Sequence, residues 1–300
     1  MDSLDALIAG LRLAWRALFP GVFERGAATA GVYLVVLFVA VWAIEKACGT
    51  RTRNYRTRGF GQDVAYYFYY RSGAHRILFT AAVFSALDGP LSFLDLKLLT
   101  PLPPLLQIVA ALLVTDFAMY WLHRAQHRFR FLWAFHSTHH SQENLTFASY
   151  LRFHPVEVFV GECVSFVMLK VLGFDFASWF VVYLVANLVG ELTHTQIPWK
   201  LGLLSNVIVT PRFHSYHHSP DRALHDRNFG GLFSFWDRLF GTAVPEATPV
   251  PVKFGLPDVK SSSLWASLAT PFYMLRDLYL PARPLPPEPE ARSSTAVRKT

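Results

Sequence analysis

LLQIVAALLVTDFAMYWLHRAQH, residues 105–127, joins an apolar run to two histidines, His123 and His127. The first eighteen residues of this stretch carry a single charge, Asp116, and a membrane-spanning helix needs about 20 mostly apolar residues. If the helix continues to His127, both imidazoles project from one face, one turn apart. The stretch therefore predicts a spanning helix whose polar end carries a pair of histidines.

The rest of the chain has the composition of a membrane protein. Hydrophobic residues make up 52% and charged residues 16%, whereas soluble domains contain about 25% charged residues. We therefore predict an all-α membrane protein with about four to five membrane helices and a histidine-rich cap. The predicted spans are 31–48, 75–94, 105–122, 155–174 and 176–192.

The net charge of +7 comes from arginines that lie beside the apolar runs. This distribution fits membrane loops better than a nucleic-acid surface, so no nucleic-acid partner is expected. Arginines are concentrated between the first two spans and after the third, which the positive-inside rule assigns to the cytoplasm. The histidine cluster is then cytoplasmic, and the Ala/Arg-rich composition favours a bacterial inner membrane.

Four parts of the chain differ in pattern. Residues 1–30 place apolar side chains on one helical face, which predicts an interfacial amphipathic segment. Residues 31–252 hold the spans and the cytoplasmic cap. A peripheral amphipathic helix is predicted within 253–280, and 281–300 is predicted to be a disordered tail.

Nine histidines are spaced as metal ligands. A single pair four residues apart is often coincidence, but this chain adds two H-x-x-H-H blocks on the same predicted side of the membrane. Roughly three to five histidines fill the first shell of one ion, so nine suggest two ions. Imidazole suits both iron and zinc, and the ligand type leaves the metal open. The predicted ligands are His123, His127, His136, His139, His140, His194, His214, His217 and His218.

Three further residues are candidates for supporting roles. Asp116 lies two turns before His123, where its carboxylate is expected to accept a ring N–H or to serve helix packing. Glu191, three residues before His194, is expected to act in the same way. His154 is expected to support the ligands from outside or to be structural.

Five blocks within residues 116–242 together resemble the fatty acid hydroxylase/sterol desaturase superfamily. They are DFAMYWLHRAQH, FHSTHHS, RFHPVE, TPRFHSYHHS and NFGGLFSFWDRLFGT, in the order of that family. The resemblance implies about four spans and a cytoplasmic cap that holds two iron ions. It transfers the ligand role to the nine histidines, with His194 at a less uniform position. THTQIPWKLG, around His194, is most similar to the alkylglycerol monooxygenase and bacterial branches.

The resemblance implies a lipid hydroxylase or desaturase that uses dioxygen. Its substrate is expected to be a sterol, fatty acyl, sphingoid or ether lipid. Electrons are expected from an external redox protein, because the chain has no flavin, haem or iron–sulfur motif. No catalytic residue is separable from the metal ligands. The main alternative is a membrane di-zinc hydrolase acting on lipids, since zinc fits the same ligands, but the H-E-x-x-H motif is absent. A metal transporter would need more ionisable residues along the spans.

Overall fold

The fold is α-helical throughout the part of the chain that the computed structural model describes. These residues are 26–50, 52–173, 176–199, 201–245, 248–251, 253–256, 259 and 263–279. The predicted tail and all but the last five residues of the predicted N-terminal segment lie outside them. The helices are α1 (Gly26–Ala47), α2 (Arg58–Arg71), α3 (Ala81–Asp88), α4 (Pro104–Arg128), α5 (Arg130–His140), α6 (Pro155–Leu172), α7 (Phe176–Thr193), α8 (Pro211–His217), α9 (Phe235–Leu239) and α10 (Leu264–Tyr279).

Helix α4 is the structural centre of the membrane part. It begins with Pro104 at its first position and continues six residues beyond the predicted end of the span, through both histidines. Among the described residues, α4 alone combines the length and the mean hydropathy, 1.8, of a membrane-spanning helix. The predicted count of four to five spans therefore stays a prediction.

Helices α6 and α7 both pack against α4. Ala111 of α4, Leu172 of α6 and Val182 of α7 form a buried apolar cluster. Gly173 ends α6 in the left-handed conformation, with φ of 65°, and a Cβ there would lie 2.4 Å from the Cα of Lys97. The two predicted spans over 155–174 and 176–192 are thus confirmed as helices joined by a short connection.

Large apolar side chains remain exposed on the outer faces of α1 and α4. Val32 and Val36 of α1 and Leu105 of α4 are more than 60% exposed. A contiguous apolar surface of this kind is unfavourable in water and is expected where helices face lipid. The exposed faces therefore fit the membrane character inferred from composition.

The helix predicted over 75–94 is interrupted. The chain makes a π-helical turn at Arg76–Thr80, continues as α3 and ends at Asp88. Pro90 has no N–H to extend the helical hydrogen-bond ladder, which explains the early end. The combined segment covers thirteen residues, about 20 Å of helix, and is too short to cross a bilayer of about 30 Å by itself.

Helix α10 agrees with the predicted peripheral helix, and it packs against α5. Its buried face consists of Ser267, Thr270 and Pro271, and the Ser267 hydroxyl lies 2.6 Å from the Tyr66 hydroxyl. Phe272, which the sequence places on the apolar face, is 56% exposed. Its contact with a membrane surface and the boundaries of the four predicted parts stay predictions.

Candidate metal centre

A one-residue turn brings the histidines of α4 and α5 together. Phe129 has extended backbone, with φ of −103° and ψ of 118°, so that one helix ends and the next begins around it. The turn folds α5 against α4. His136 Nε2 consequently lies 3.1 Å from His123 Nε2, and His140 Nε2 lies 3.2 Å from His127 Nε2.

The H-x-x-H-H block of α5 divides between two directions. His136 and His140 are one helical turn apart, and their Nε2 atoms lie 3.1 Å from each other on the side of the α4 histidines. His139 points to the other side, where its Nε2 lies 3.2 Å from His194 Nε2 at the end of α7. One block therefore serves two neighbouring sites.

The H-x-x-H-H block of α8 also divides between the two sides, but here two histidines adjoin His194 and one faces the α4 histidines. The Thr210 side chain caps α8 by accepting from Phe213 N at 3.1 Å, and this fixes the start of the helix. His214 Nε2 and His218 Nε2 lie 3.0 Å apart and adjoin His194, whereas the ring of His217 lies on the side of the α4 histidines.

All nine predicted histidines therefore meet in two adjoining groups, in each of which the candidate ligand atoms lie within 4.8 Å of one another. The ring centroids of His140 and His218, one from each group, are 4.7 Å apart. The first histidine group is His123, His127, His136, His140 and His217. The second histidine group is His139, His194, His214 and His218.

Four of the rings are oriented by hydrogen bonds from Nδ1 to oxygen acceptors. Such bonds fix both the direction of an imidazole and which nitrogen carries the proton. Three acceptors are backbone carbonyls and one is a buried carboxylate. The bonds run from His123 to Phe229 O (2.8 Å), from His217 to Arg227 O (2.8 Å), from His194 to Gly190 O (2.7 Å) and from His136 to Glu157 Oε1 (2.6 Å).

These bonds leave Nε2 as the bare nitrogen, because a neutral imidazole has one N–H and one lone pair. His123 and His136 both donate through Nδ1, yet their Nε2 atoms lie 3.1 Å apart. Two lone pairs repel each other at that distance unless a cation lies between them. The donor set therefore fits a metal ion held through Nε2.

Burial keeps the rings of the cap neutral. It lowers the pKa of six histidines well below the usual 6.5, and neighbouring histidines lower it further. For His194 burial lowers the pKa to about 4. Neutral imidazole is the form that binds metal ions. The six are His136, His139, His140, His214, His217 and His218.

Asp116 lies in a different environment from the one predicted. Its carboxylate accepts from the backbone N–H groups of Leu232 (2.8 Å) and Phe233 (3.0 Å) and from Trp236 Nε1 (3.0 Å). Seven residues of helix separate it from His123 by about 10 Å, which is too far for a direct bond. Asp116 is therefore linked to His123 only indirectly, because it anchors the loop that contains the Phe229 carbonyl.

Asp237 anchors the same loop from within it. Its carboxylate accepts from the backbone N–H groups of Phe229 and Gly230, both at 2.7 Å, and from the Thr242 hydroxyl at 2.6 Å. The buried carboxylate faces its own turn, so its hydrogen bonds are made to the backbone and hydroxyl groups of that turn. The motif NFGGLFSFWDRLFGT thereby builds the carbonyl that orients His123.

Glu191 also departs from the prediction. It accepts hydrogen bonds from Tyr33 (3.0 Å) and Tyr67 (2.8 Å) and forms an ion pair with Arg71. His194, one turn further on, uses the Gly190 carbonyl of its own helix instead. Glu191 therefore joins α1, α2 and α7 and does not contact the ring that it was expected to orient.

His154 has a structural role. Its Nδ1 accepts from Val156 N at 3.2 Å and caps α6, while its Nε2 lies 3.2 Å from the carbonyl of Leu268 in α10. This outcome matches the structural reading and not the role beside a ligand. Of the other histidines, His225 is exposed and His75 is only 1% exposed.

Glu157 is the supporting residue that the sequence pattern did not single out. It is 7% exposed, and Oε1 accepts from both His136 Nδ1 and Gln126 Nε2. An acidic residue inside a predicted apolar span is a functional candidate by default. Glu157 meets this criterion in the same way as Asp116, because it lies inside the predicted span 155–174.

A cavity of about 670 Å³ extends from the histidines along α4, α6 and α7. Its inner end includes rings of both groups, among them His123, His139 and His194. Apolar side chains such as Leu112 and Leu169 line its other part. Its volume lies within the range of small-molecule sites, roughly 300–1,000 Å³, and its lining suits an apolar ligand.

Comparison with known proteins agrees with this site. Residues 108–242 match the family model for fatty acid hydroxylase. An ornithine lipid hydroxylase of Rhizobium tropici is 31% identical over 170 residues, which are 57% of this chain and 51% of that protein. Human alkylglycerol monooxygenase is 34% identical over 149 residues, 49% of this chain and 32% of that protein.

A third relative, rat lathosterol oxidase, is 26% identical over 145 residues, 46% of this chain and 45% of that protein. The chain thus spans about half or less of the length of these relatives. No solved structure matches it significantly. The match over 108–242 contains all nine predicted ligand positions: eight lie in the two H-x-x-H-H blocks and the helix pair, and the ninth is His194. Residues 108–242 are therefore similar to a fatty acid hydroxylase domain, and the relatives that this chain resembles belong to the fatty acid hydroxylase/sterol desaturase superfamily.

Proposed function

We propose that this protein is a membrane-bound lipid hydroxylase in which the two histidine groups hold two iron ions. One observation carries the proposal: Nε2 atoms of neighbouring imidazoles face one another at 3.0–3.2 Å in both groups, and in the His123–His136 pair both of these atoms are bare. A cluster of neutral, buried imidazoles in this arrangement is stabilised by a cation. The relatives, which are lipid hydroxylases and oxidases, support the reaction class.

The number of histidines favours iron over zinc. The first histidine group offers five imidazoles, whereas zinc sites almost always have four ligands. The Nε2 spacings of 3.0–3.2 Å lie between the roughly 3.0 Å of a 90° angle and the roughly 3.4 Å of a tetrahedral angle, for metal–nitrogen bonds of about 2.1 Å. Five- or six-coordinate iron accommodates the five histidines, and the di-zinc alternative fits less well.

When bound, a pair of iron ions supplies dioxygen activation and oxidation of a C–H bond, which zinc, lacking redox chemistry, does not. The chain itself supplies the geometry. Glu157 and the Phe229 carbonyl hold His136 and His123 in the orientation that points Nε2 inwards. The apolar walls of the cavity would align an apolar chain with the histidine end.

Hydroxylation consumes one dioxygen, two electrons and two protons for each alcohol and water formed. The electrons come from an external redox protein, since the described residues offer no second redox group. We favour hydroxylation over desaturation because the two relatives above 30% identity are named a hydroxylase and a monooxygenase. In this proposal the histidines face the cytoplasm of a bacterial inner membrane, as the arginine distribution predicts.

The test is product analysis under isotopically labelled dioxygen. Iron-loaded protein in membranes is given a reductant, a total lipid extract and ¹⁸O₂, and lipids are analysed by mass spectrometry. We expect a lipid that gains one labelled oxygen atom, and His140→Ala should abolish it. Release of fatty acid or headgroup without labelled oxygen would overturn the proposal in favour of a hydrolase.

A further inference from the structure

Resting on the function proposed above, we propose that a polar cluster in the cavity wall binds the uncharged or zwitterionic polar end of the lipid substrate. The polar cluster is defined as Arg71, His75, Arg76, Glu162 and Tyr183, all of which line the cavity. It places the polar end of the lipid beside the histidine groups and the apolar chain along the deeper wall.

The polar cluster lies close to the metal centre. Glu162 is five residues beyond Glu157 on α6, about 8 Å along the helix axis, and Glu157 contacts His136. Arg71 contacts Glu191, which is one turn from His194. A lipid whose polar end occupies the cluster therefore presents a carbon near that end, and not one far along its chain, to the histidine groups.

Ion pairs organise the cluster. Arg76 Nε donates to Glu162 Oε1 at 3.0 Å, and the Arg76 guanidinium stacks over the Tyr183 ring at 5.1 Å. Arg71 Nη1 donates to the Tyr183 hydroxyl at 3.2 Å and pairs with Glu191. These contacts fix the side chains before any ligand arrives, which lowers the entropic cost of binding.

Three polar atoms of the fixed cluster lack a hydrogen-bond partner although they are buried. They are Arg71 Nε, His75 Nε2 and Glu162 Oε2. His75 Nε2 and Glu162 Oε2 lie 3.4 Å apart without forming a hydrogen bond. Buried donors and acceptors left unpaired cost about 1–3 kcal/mol each. A ligand group that both donates and accepts, such as a hydroxyl, amide or zwitterion, satisfies them.

The net charge of the polar cluster indicates which class of lipid headgroup it can bind. The two arginines of the cluster are matched by Glu162 and Glu191, so the formal charge is zero when His75 is counted as neutral. A fully anionic or cationic headgroup would bring an unmatched charge into an apolar cavity, which is strongly unfavourable. A polar end without net charge avoids that penalty.

The charge balance can be shifted without removing the site. Glu162→Gln leaves one excess positive charge, and Arg76→Gln leaves one excess negative charge. The double variant restores the balance. Ser165→Ala, also in the cavity wall, is the matched control because Ser165 Oγ donates only to the Gly161 carbonyl of its own helix. Iron content and thermal midpoint are measured for every variant to verify the fold.

Binding is measured on the iron-loaded protein in detergent with three probes of equal chain length: 1-O-hexadecylglycerol, hexadecanoate and hexadecylamine. Glu162→Gln should raise the affinity for hexadecanoate relative to hexadecylglycerol about tenfold or more, and Arg76→Gln should do so for hexadecylamine. The double variant and Ser165→Ala should keep the wild-type ratios. Hexadecanoate could also bind the metal directly through its carboxylate. All variants share the same metal centre, so this contribution is equal in each and does not affect the comparison of their affinity ratios.

Unchanged affinity ratios in the folded, iron-loaded single variants would overturn the inference. So would equal shifts in the Ser165→Ala control. Failure of the proposed function looks different. It would appear as folded protein that does not bind iron or does not oxidise lipid, whether or not the probe ratios respond to the charge changes.

Discussion

Glu157 Oε1 accepts a hydrogen bond from His136 Nδ1 at 2.6 Å and thereby ties α6 to the first histidine group. Oε1 also accepts from Gln126 Nε2 at 3.1 Å, so the carboxylate is itself held in place from α4. The cavity-lining helix and the metal centre therefore share one contact. A substitution on α6 is therefore expected to alter the affinity of the histidines for metal.

Replacement of Glu157 tests this contact. Glu157→Leu removes the acceptor of the His136 N–H and should lower iron affinity about 10–100-fold, because the partners of ligand histidines fix ring direction. Glu157→Gln keeps an acceptor oxygen and should therefore lower iron affinity less than Glu157→Leu does. Affinity is measured by anaerobic iron titration, with the exposed Glu143→Gln as control. Equal affinity in Glu157→Leu and wild type would contradict the assigned role.

Substitutions of different histidines should have different effects on iron content and stability, according to the role of each residue. His140→Ala removes a member of the first histidine group and should lower bound iron to about one ion per chain or less. His154→Ala removes the cap of α6 and should lower stability by about 1 kcal/mol while leaving the iron content unchanged. His225→Ala, at an exposed position, should change neither. Elemental analysis that shows equal iron loss in His140→Ala and His154→Ala would refute the assignment.

Stability of the metal-free protein should depend on pH. Burial holds the pKa of His136, His140 and His218 well below 6.5 in the folded state, so the unfolded state binds more protons as the pH falls through 6.5. The stabilising contribution is fully present above that pH and is lost below it, by up to about 1.4 kcal/mol per pH unit for each histidine.

The measurement is the thermal midpoint of metal-free protein between pH 7.5 and pH 5, since these conditions bracket the ordinary histidine pKa. We expect a continuous decrease in the midpoint towards acid. Iron-loaded protein should hold its midpoint to a lower pH, because bound metal competes with protons for Nε2. A midpoint of the metal-free protein that stays constant or rises towards pH 5 is incompatible with buried neutral histidines.

Gly190 is expected to be irreplaceable. A Cβ at this position would lie 2.3 Å from the Tyr150 ring. The Gly190 carbonyl accepts a hydrogen bond from His194 Nδ1 at 2.7 Å. Gly190→Ala should destabilise the protein by roughly 1–3 kcal/mol through overpacking and should also loosen His194. Gly161→Ala is the control, since its Cβ would lie 3.8 Å from Met119. Similar thermal midpoints for both variants would argue against the close approach.

Histidine spacing made the site predictable. A pair four residues apart on a helix shares a face, and the two H-x-x-H-H blocks were predicted on the same side of the membrane. In the structure His123, His127 and the other seven histidines come together in two groups. Spacing could not predict that each H-x-x-H-H block divides between the two histidine groups, because this division depends on where α8 lies relative to α5.

Supporting residues were harder to predict than the histidines. Asp116 and Glu191 lie close to histidines along the chain, but their hydrogen bonds go to a distant loop and to the tyrosines of α1 and α2. Glu157 contacts His136 across 21 positions, and only tertiary structure reveals such a pair. Proximity in sequence is a poor guide to a contact that packing determines.

The early end of the second predicted span has a local cause that hydropathy does not detect. Residues 75–94 are apolar enough on average, yet Pro90 ends the helix at Asp88. His75 is buried because Glu162 and Tyr69 face it from neighbouring helices. These partners, which composition cannot show, place His75 in the cavity wall.

The central claim is that the two histidine groups hold a pair of iron ions, and metal analysis of anaerobically purified protein tests it most directly. Elemental analysis combined with Mössbauer spectroscopy should give about two irons per chain, magnetically coupled and oxidised by dioxygen. A folded protein without metal, or with two zinc ions that iron cannot replace in an active form, would contradict the claim.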